Sequence, residues 1–536
     1  MLTRTLGVLV VGWLALTPGV PLAAASDPTP SVAPDAVATT IISPASDAHP
    51  KHRPCPTSQL TSAPAAPPAA HEIVVSAKKR AWEAARGGEQ AAKPDIQARL
   101  MGWPARSLAD KESLPKDDRE FLRRVARDTW RGLDALRDRD SGLPIDNLRV
   151  AKTSVALADS AIGDYTSSTD IGLYLIDVVA AQELGFVTRA EAIERIRRVL
   201  DTVDGLESHA GFLFNYYDTT ALERTSNFVS FVDSSWLTAA LMVVRMSLPE
   251  LHERCTQMIN AKDYRFFYDD AAQLISHGYY VNLGTRSPYH YGMLYTESRL
   301  GSLIAIGKGD VPESHWFEML RTLPTDCDGQ TQTPQGATMK TVRTHEFTAG
   351  YYEWGGVRYV PSWGGSMFEA LMPTLLLDEV RFAPQSLGAN DQAHALVQRR
   401  YASEALGYRV WGFSPSATPE NGYGEYGVRV LGASGYANGV VTPHAAALAL
   451  AVAPEAAVAN LRTLATLYDI YGDYGFYDAV DPRSGAVAYK YLTLDQSMLF
   501  IALANYLDDH YVQKRFAADP IIQNVLPVIG AEDFFN

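Results

Sequence analysis

Apolar positions recur with a helical period from Pro115 onward. The first clear case is Asp117 to Leu136, DDREFLRRVARDTWRGLDAL, where Phe121, Leu122, Val125, Trp130 and Leu133 fall on one broad face. Strand-like alternation is scarce and short. A unit then repeats: a polar or glycine- and aromatic-rich loop, a helix of Gly, Ala, Ser and Leu, and a more charged amphipathic helix. The small-residue helices begin at Ser167, Val232, Thr296, Gly364, Thr442 and Leu494. A helix that is apolar or small on most sides is wrapped by others, whereas RAEAIERIRRVLDTV, Arg189 to Val203, turns a charged face to water. This recurrence predicts an all-α (α/α)6 toroid, inner helices within outer ones, with all inner N-termini at one mouth.

The region before Pro115 follows a different pattern. Residues 1–25 place Arg4 ahead of an apolar run, Leu6 to Leu16, a breaker at Pro18 and Ala23-Ala24-Ala25, the three-part form of a cleaved signal peptide. Residues 26–70 shift to Pro, Ala, Ser and Thr, a linker that buries too little to fold. Residues 71–114 are read as an N-terminal extension, 115–515 as the catalytic toroid and 516–536 as a C-terminal tail. No later run is long and apolar enough for a membrane span, so the expected mature chain is soluble and secreted or periplasmic.

Composition narrows the chemistry. With 47 Lys and Arg against 61 Asp and Glu in 536 residues, the formal charge of -14 repels a phosphate backbone, so nucleic acid is not an expected partner. Three cysteines, Cys55, Cys255 and Cys327, cannot build a disulfide framework or a closed thiolate zinc site. No metalloprotease helix, nucleophile elbow, phosphate loop or cofactor motif occurs, and neither cofactor nor metal is expected. The 27 Tyr and 9 Trp suit stacking on neutral sugar rings.

Acids open the small-residue helices: Asp170, Asp233, Glu297 and Asp495 in the first turn, with Glu369 slightly further in. Each alone is explained by capping, because an anion at a helix N-terminus is stabilised by about 0.3 to 1 kcal/mol. A ring would gather them in one cavity, where neighbouring carboxylates repel and their pKa values split into an acid and a base, the pair that glycosidic cleavage needs. Tyr217, Asp218, Trp236, Tyr295, Trp363, Tyr423 and Tyr474, with Asp170, Glu369 and Asp495, are the candidate substrate contacts. His290 and His444 could be substrate ligands, but a structural histidine explains them as simply.

The stretches STDIGLYLIDVVAAQELGF, NYYDTTALE, FVSFVDSSWL, YTESRLGSLIAIGKGDVPESHWF, SWGGSMFEALMP and YGFYDA with LDQSMLFIALANYL resemble the bacterial glucoamylase-like domain family. That family includes the central domain of cyclic β-1,2-glucan synthases and is related to secreted endo-β-1,2-glucanases. The resemblance runs from about residue 115 to 510. It implies an (α/α)6 barrel and glycosidase or transglycosylase chemistry, with Glu297 as general acid and Asp233, Glu223 and Asp478 as further catalytic candidates. Asp495 matches a base or substrate-contact position. The chain departs from the family in lacking glycosyltransferase and phosphorylase segments, and in having LDQS where many relatives have DQG. The expected activity is endo-hydrolysis of a glucan, best matched by β-1,2-glucan, with transglycosylation, polysaccharide lyase action or non-catalytic polysaccharide binding as the alternatives.

Overall fold

The computed structural model describes residues 96–536. The signal-peptide and linker expectations, and most of the N-terminal extension, lie outside these residues. Its principal helices are α1 (Asp118–Ala135), α2 (Ser168–Glu183), α3 (Arg189–Gly205), α4 (Phe231–Ser247), α5 (His252–Asn260), α6 (Arg299–Gly307) and α7 (Met367–Leu371). They continue with α8 (Leu387–Arg400), α9 (Pro443–Leu448), α10 (Pro454–Leu467), α11 (Thr493–Leu507), α12 (Tyr511–Ala517) and α13 (Pro520–Ile529).

Two kinds of helix are distinguished by burial. In α2 every residue from Ser168 to Ala181 is buried, whereas α3 buries only Ala192, Ile196, Val199, Leu200, Thr202 and Val203. The expected face of α1 is likewise buried, and its Trp130 stacks on Tyr174 of α2 and Phe500 of α11. The small-residue helices pack on one another in sequence: α2 on α4, α4 on α6, α7 on α9, α9 on α11, and α11 back on α2. Between α6 and α7 the link is polar, Arg299 donating to the carbonyls of Glu369 and Ala370 at 3.0 and 2.6 Å. Charged helices lie against them, α3 on α2, α5 on α4, α8 on α7, α10 on α9 and α1 on α11.

Close approach explains the small residues. A Cβ added at Gly172 of α2 would lie 2.9 Å from the Leu237 Cα and 3.0 Å from the Trp236 carbonyl oxygen of α4. Those are backbone atoms of a buried helix and cannot yield by rotamer change. Gly172→Ala is therefore expected to destabilise by about 1–3 kcal/mol through overpacking. The measurement is the denaturant midpoint, which should fall with an unchanged slope.

Short antiparallel strands form the loops at the helix starts, more of them than the scarce alternation predicts. Each is two to four residues long, below the length at which a period of two can be read. Tyr165–Ser167 pairs with Tyr216–Asp218 and leads into α2; Phe228–Ser230 pairs with Gly278–Tyr280 and leads into α4. A three-stranded sheet orders Ala161–Gly163, Asn147–Arg149 and Lys490–Leu492, with Asn147 opposite Leu492 and Arg149 opposite Lys490.

The ordered fold begins before residue 115: the Trp103 indole donates to the Val155 carbonyl at 2.7 Å. It also includes the segment read as a tail. Helix α13 packs on α6, and Glu532 closes a buried ion pair with Arg321 at 2.5 Å. Burying the apolar face of α13, Ile522, Val525, Val528 and Ile529, is the reason this segment is not a free end.

Candidate active site

The N-terminal ends of α2, α4, α6, α7 and α11 open onto one cleft, which encloses about 840 Å³ of space continuous with solvent and which no residue of α9 lines. Thr169 and Asp170 of α2, Asp233 and Trp236 of α4, Glu297 ahead of α6, Phe368 of α7 and Leu494 of α11 all line it. The short strands add Asp146, Asn147, Tyr165, Tyr216 and Lys490, and Tyr423 enters from a separate loop. Among these lining residues one cation, Lys490, faces four acids.

The acids are held in different ways. Helices α2, α4 and α7 each start with a serine three residues before an acid, the capping-box spacing. Asp170 closes its box, accepting from Ser167 N at 3.0 Å and Ser167 Oγ at 2.9 Å. Glu369 closes another and also accepts from Gly364 N at 2.8 Å and Ser362 Oγ at 3.2 Å. Asp233 closes no capping box. Ser230 Oγ accepts from the Asp233 N–H, but the carboxylate turns to the neighbouring helix and accepts from Thr169 Oγ1 at 2.6 Å. Its second oxygen, Oδ2, is buried without a hydrogen-bond partner. Asp233 thus lines the cleft, held by Thr169 of α2 as well as by its own cap.

Glu297 is 1% exposed and sits in a turn two residues before α6, not in its first helical turn as the pattern predicts. Arg299 holds that turn, its Nη1 donating to the Thr296 carbonyl at 3.0 Å. The buried Tyr291 lies within electrostatic reach of both Glu297 and Asp233. Its hydroxyl pKa is pushed up chiefly by burial and then by the charges of both.

Burial raises the pKa of Asp233, opposed by hydrogen bonds from Ser230 and Thr169. Asp170 is held well above the usual carboxylate range by burial and then by the charge of Asp146, with Ser167 opposing and Asp233 adding. Asp146 is raised by burial, against the Asn147 amide, the Tyr165 hydroxyl and the charge of Lys490. Asn147 Nδ2 donates to Asp146 Oδ2 at 2.6 Å. The cleft thus holds coupled carboxyl groups whose protons are retained above the ordinary range, the condition under which one can donate while another is ionised.

Several candidates lie elsewhere. Glu223 is exposed on the turn after Tyr216–Asp218 and does not line the cleft. Asp218 caps that turn, accepting from Thr220 N and Ala221 N. The buried Tyr217 hydroxyl donates to the Glu207 carbonyl, and that of Tyr295 to Asp391 Oδ1 at 2.6 Å. Tyr474 packs on Tyr491, Trp363 packs against a small apolar cluster with Met293, Leu323, Cys327 and Ala433, and Glu369 is consumed by its loop. Apart from the exposed Glu223, each of these commits its polar atom or ring to the scaffold, and none lines the cleft. Asp478 and Asp495 lie together beside His444, next to the cleft but not lining it. His290 pairs with Asp269 at 3.0 Å.

Asp146, Asn147, Tyr165, Tyr216, Tyr291 and Lys490 were not legible as site residues. Asp146 and Lys490 are 344 positions apart and meet only through the pairing of Asn147–Arg149 with Lys490–Leu492. The Asp-Asn pair at 146–147 carries no motif of its own.

Comparisons with known proteins agree with this architecture. The glycoamylase family model matches residues 333–520, and a model for a protein of unknown function, DUF3131, matches residues 124–300. Cyclic β-(1,2)-glucan synthase NdvB of Rhizobium meliloti (strain 1021) is 24% identical over 579 aligned positions, covering 79% of this chain. The aligned region is 19% of that relative's length. Among solved structures, the endo-β-1,2-glucanase of Chitinophaga pinensis in complex with sophorotriose and glucose is similar with a TM-score of 0.62 at 17% identity, over 78% of this chain and 99% of that one. A mutant endo-β-1,2-glucanase of Talaromyces funiculosus in complex with β-1,2-glucan is similar with a TM-score of 0.58 at 11% identity, over 79% and 91%. The chain is therefore a homologue of the cyclic β-(1,2)-glucan synthase, carries a glycoamylase-family segment at residues 333–520, and shares its fold with endo-β-1,2-glucanases.

Proposed function

We propose that this chain is an exported glycoside hydrolase, an (α/α)6 toroid that cuts β-1,2-glucan internally. The observation that carries the reading is the convergence of Glu297 and Asp233, from successive small-residue helices, on one sugar-sized cleft. Glu297 protonates the glycosidic oxygen as the C1–O bond breaks. Asp233 takes a proton from water, whose oxygen forms the new bond to C1. Thr169 positions Asp233 through Oδ1 and leaves Oδ2 for the water. Asp233, which lines the cleft, is preferred for the base role to Asp478, which does not. Trp236, Tyr216 and Tyr423 offer faces for sugar rings. An acid-lined wall with a single lysine disfavours uronate substrates, and with them lyase chemistry. For export, the supporting features are the sequence pattern of residues 1–25 and the finding that no helix among the described residues is long and apolar enough to cross a membrane.

The test is incubation of the purified chain with β-1,2-glucan and with β-1,3- and α-1,4-glucans. Oligosaccharide release from the first supports the reading; release from none of them ends it. The homology to a glucan synthase favours one second reading, a retaining transglycosylase in the same cleft. Longer or cyclised products, or products that keep the substrate anomer, would select it.

A pH dependence follows. Asp233 must be ionised to act as a base, and burial raises its pKa above the ordinary value of about 3.9. The acid limb of kcat/KM should therefore lie above that value, with activity lost as pH falls through the raised pKa. Asp233→Asn should remove that limb along with at least about 100-fold of the rate. A limb left in place by the substitution would assign the base elsewhere.

A further inference from the structure

Next to the cleft, behind Tyr423, three side chains from distant segments face one another. His444 lies in the first turn of α9, Asp478 in the turn between the strands Gly475–Phe476 and Ala479–Val480, and Asp495 in the first turn of α11. All three are almost fully buried, 1 to 2% exposed, and one donor atom from each lies within 4.8 Å of the other two. His444 Nδ1 is 3.2 Å from Asp495 Oδ2.

Nδ1 of His444, Oδ1 of Asp478 and Oδ2 of Asp495 are buried and find no hydrogen-bond partner outside the cluster: His444 faces Asp495, and the two carboxyl groups face each other. The other atoms have supports. Asp478 Oδ2 accepts from Ala417 N at 2.6 Å, and Thr442 Oγ1 lies 3.4 Å from His444 Nε2. In the tautomer that carries its proton on Nε2, facing Thr442, the Nδ1 lone pair points into the cluster. This is how an outer partner orients a histidine ligand. Two ionised carboxylates and one neutral imidazole in low dielectric are costly, and either a proton shared by the carboxyl groups or a divalent ion removes that cost.

We propose that His444, Asp478 and Asp495 form a binding site for one first-row divalent cation. One nitrogen and two carboxylate oxygens suit Zn²⁺ or Mn²⁺ better than Ca²⁺, which takes 6–8 oxygen ligands. An ion ligated at about 2.0–2.2 Å places adjacent donors about 3–3.5 Å apart, so the 3.2 Å pair already has ligand spacing and Asp478 closes inward by a small side-chain rotation. The ion would join α9, α11 and the hairpin that carries Asp478, behind the wall that Tyr423 adds to the cleft. This is a structural site outside the cleft lining, and it does not depend on which bond the cleft breaks.

The experiment uses the full chain, stripped with EDTA and titrated separately with Zn²⁺ and Mn²⁺ by calorimetry. One equivalent should bind, and bound Mn²⁺ should show spin-echo modulation from a directly coordinated nitrogen. His444→Ala and Asp478→Asn should each weaken binding by at least about 100-fold, since losing even an outer-shell partner costs 10–100-fold. Should either variant fail to fold, the nitrogen modulation in the wild-type chain still decides the matter. No binding of either ion, binding unchanged in folded variants, or bound Mn²⁺ without nitrogen coupling would overturn the site. The cluster would then be a carboxyl pair sharing a proton. None of these outcomes bears on glucan cleavage.

Discussion

Replacing Glu297 by glutamine is expected to lower kcat on β-1,2-glucan by about 10²–10⁴-fold while the chain remains folded and still binds oligosaccharide. Glutamine preserves the volume of a side chain that is 1% exposed, so packing is kept and the transferable proton is lost. Reducing-end assays on wild type and variant at matched protein, with calorimetric binding of a β-1,2-linked oligosaccharide, separate chemistry from affinity. Full activity in the variant would remove Glu297 from the mechanism; loss of binding with unchanged kcat would make it a substrate contact.

The largest effect on stability is expected for Arg299→Met, about 3–5 kcal/mol. Arg299 is fully buried and pairs with both oxygens of Glu379 at 2.9 and 2.7 Å. It also donates to the carbonyls of Thr296, Glu369 and Ala370 and lies over the Tyr295 ring, 4.7 Å from its centroid. Without it Glu379 loses its bidentate partner in the interior, and Asp391, raised well above the usual range by burial and then by the Glu379 charge, loses the cation that opposes this rise. Denaturant unfolding should show the loss. Arg299→Lys should not restore it, because an ammonium cannot bridge two carboxylate oxygens and three carbonyls together. A loss below 1 kcal/mol would mean that the α6–α7 junction is held by packing alone.

Much of this fold is legible in the residues because its two kinds of helix differ in composition. Ser168 to Ala181 is small and apolar around its circumference and is buried throughout, while Arg189–Gly205 is charged on one side and buries the other. The site is legible only where an acid follows a cap. Asp170, Asp233 and Glu369 share one local pattern, yet Asp170 caps at the cleft edge, Glu369 is consumed by its own loop, and Asp233 is rotated out by Thr169 from another helix. No local rule separates them, because the deciding hydrogen bond comes from 64 residues away. Tyr217 and Tyr295 lie in aromatic-rich stretches that suit sugar contacts, but their hydroxyls satisfy the Glu207 carbonyl and Asp391. Asp146 lies in a stretch with no motif and owes its place to strand pairing.

That pairing also constrains the order of assembly. Asn147 meets Leu492, and the Thr493 amide donates to the Asp146 carbonyl at 2.8 Å, so one wall of the cavity joins segments made hundreds of residues apart during synthesis. Contacts of such long sequence separation form late, because loop closure must precede them. A nascent chain that has passed Asp233 and Glu297 but not Leu492 carries both proposed reactive acids and only part of the enclosure around them. The proposed chemistry therefore needs the pairing of Asn147–Arg149 with Lys490–Leu492, which completes that wall.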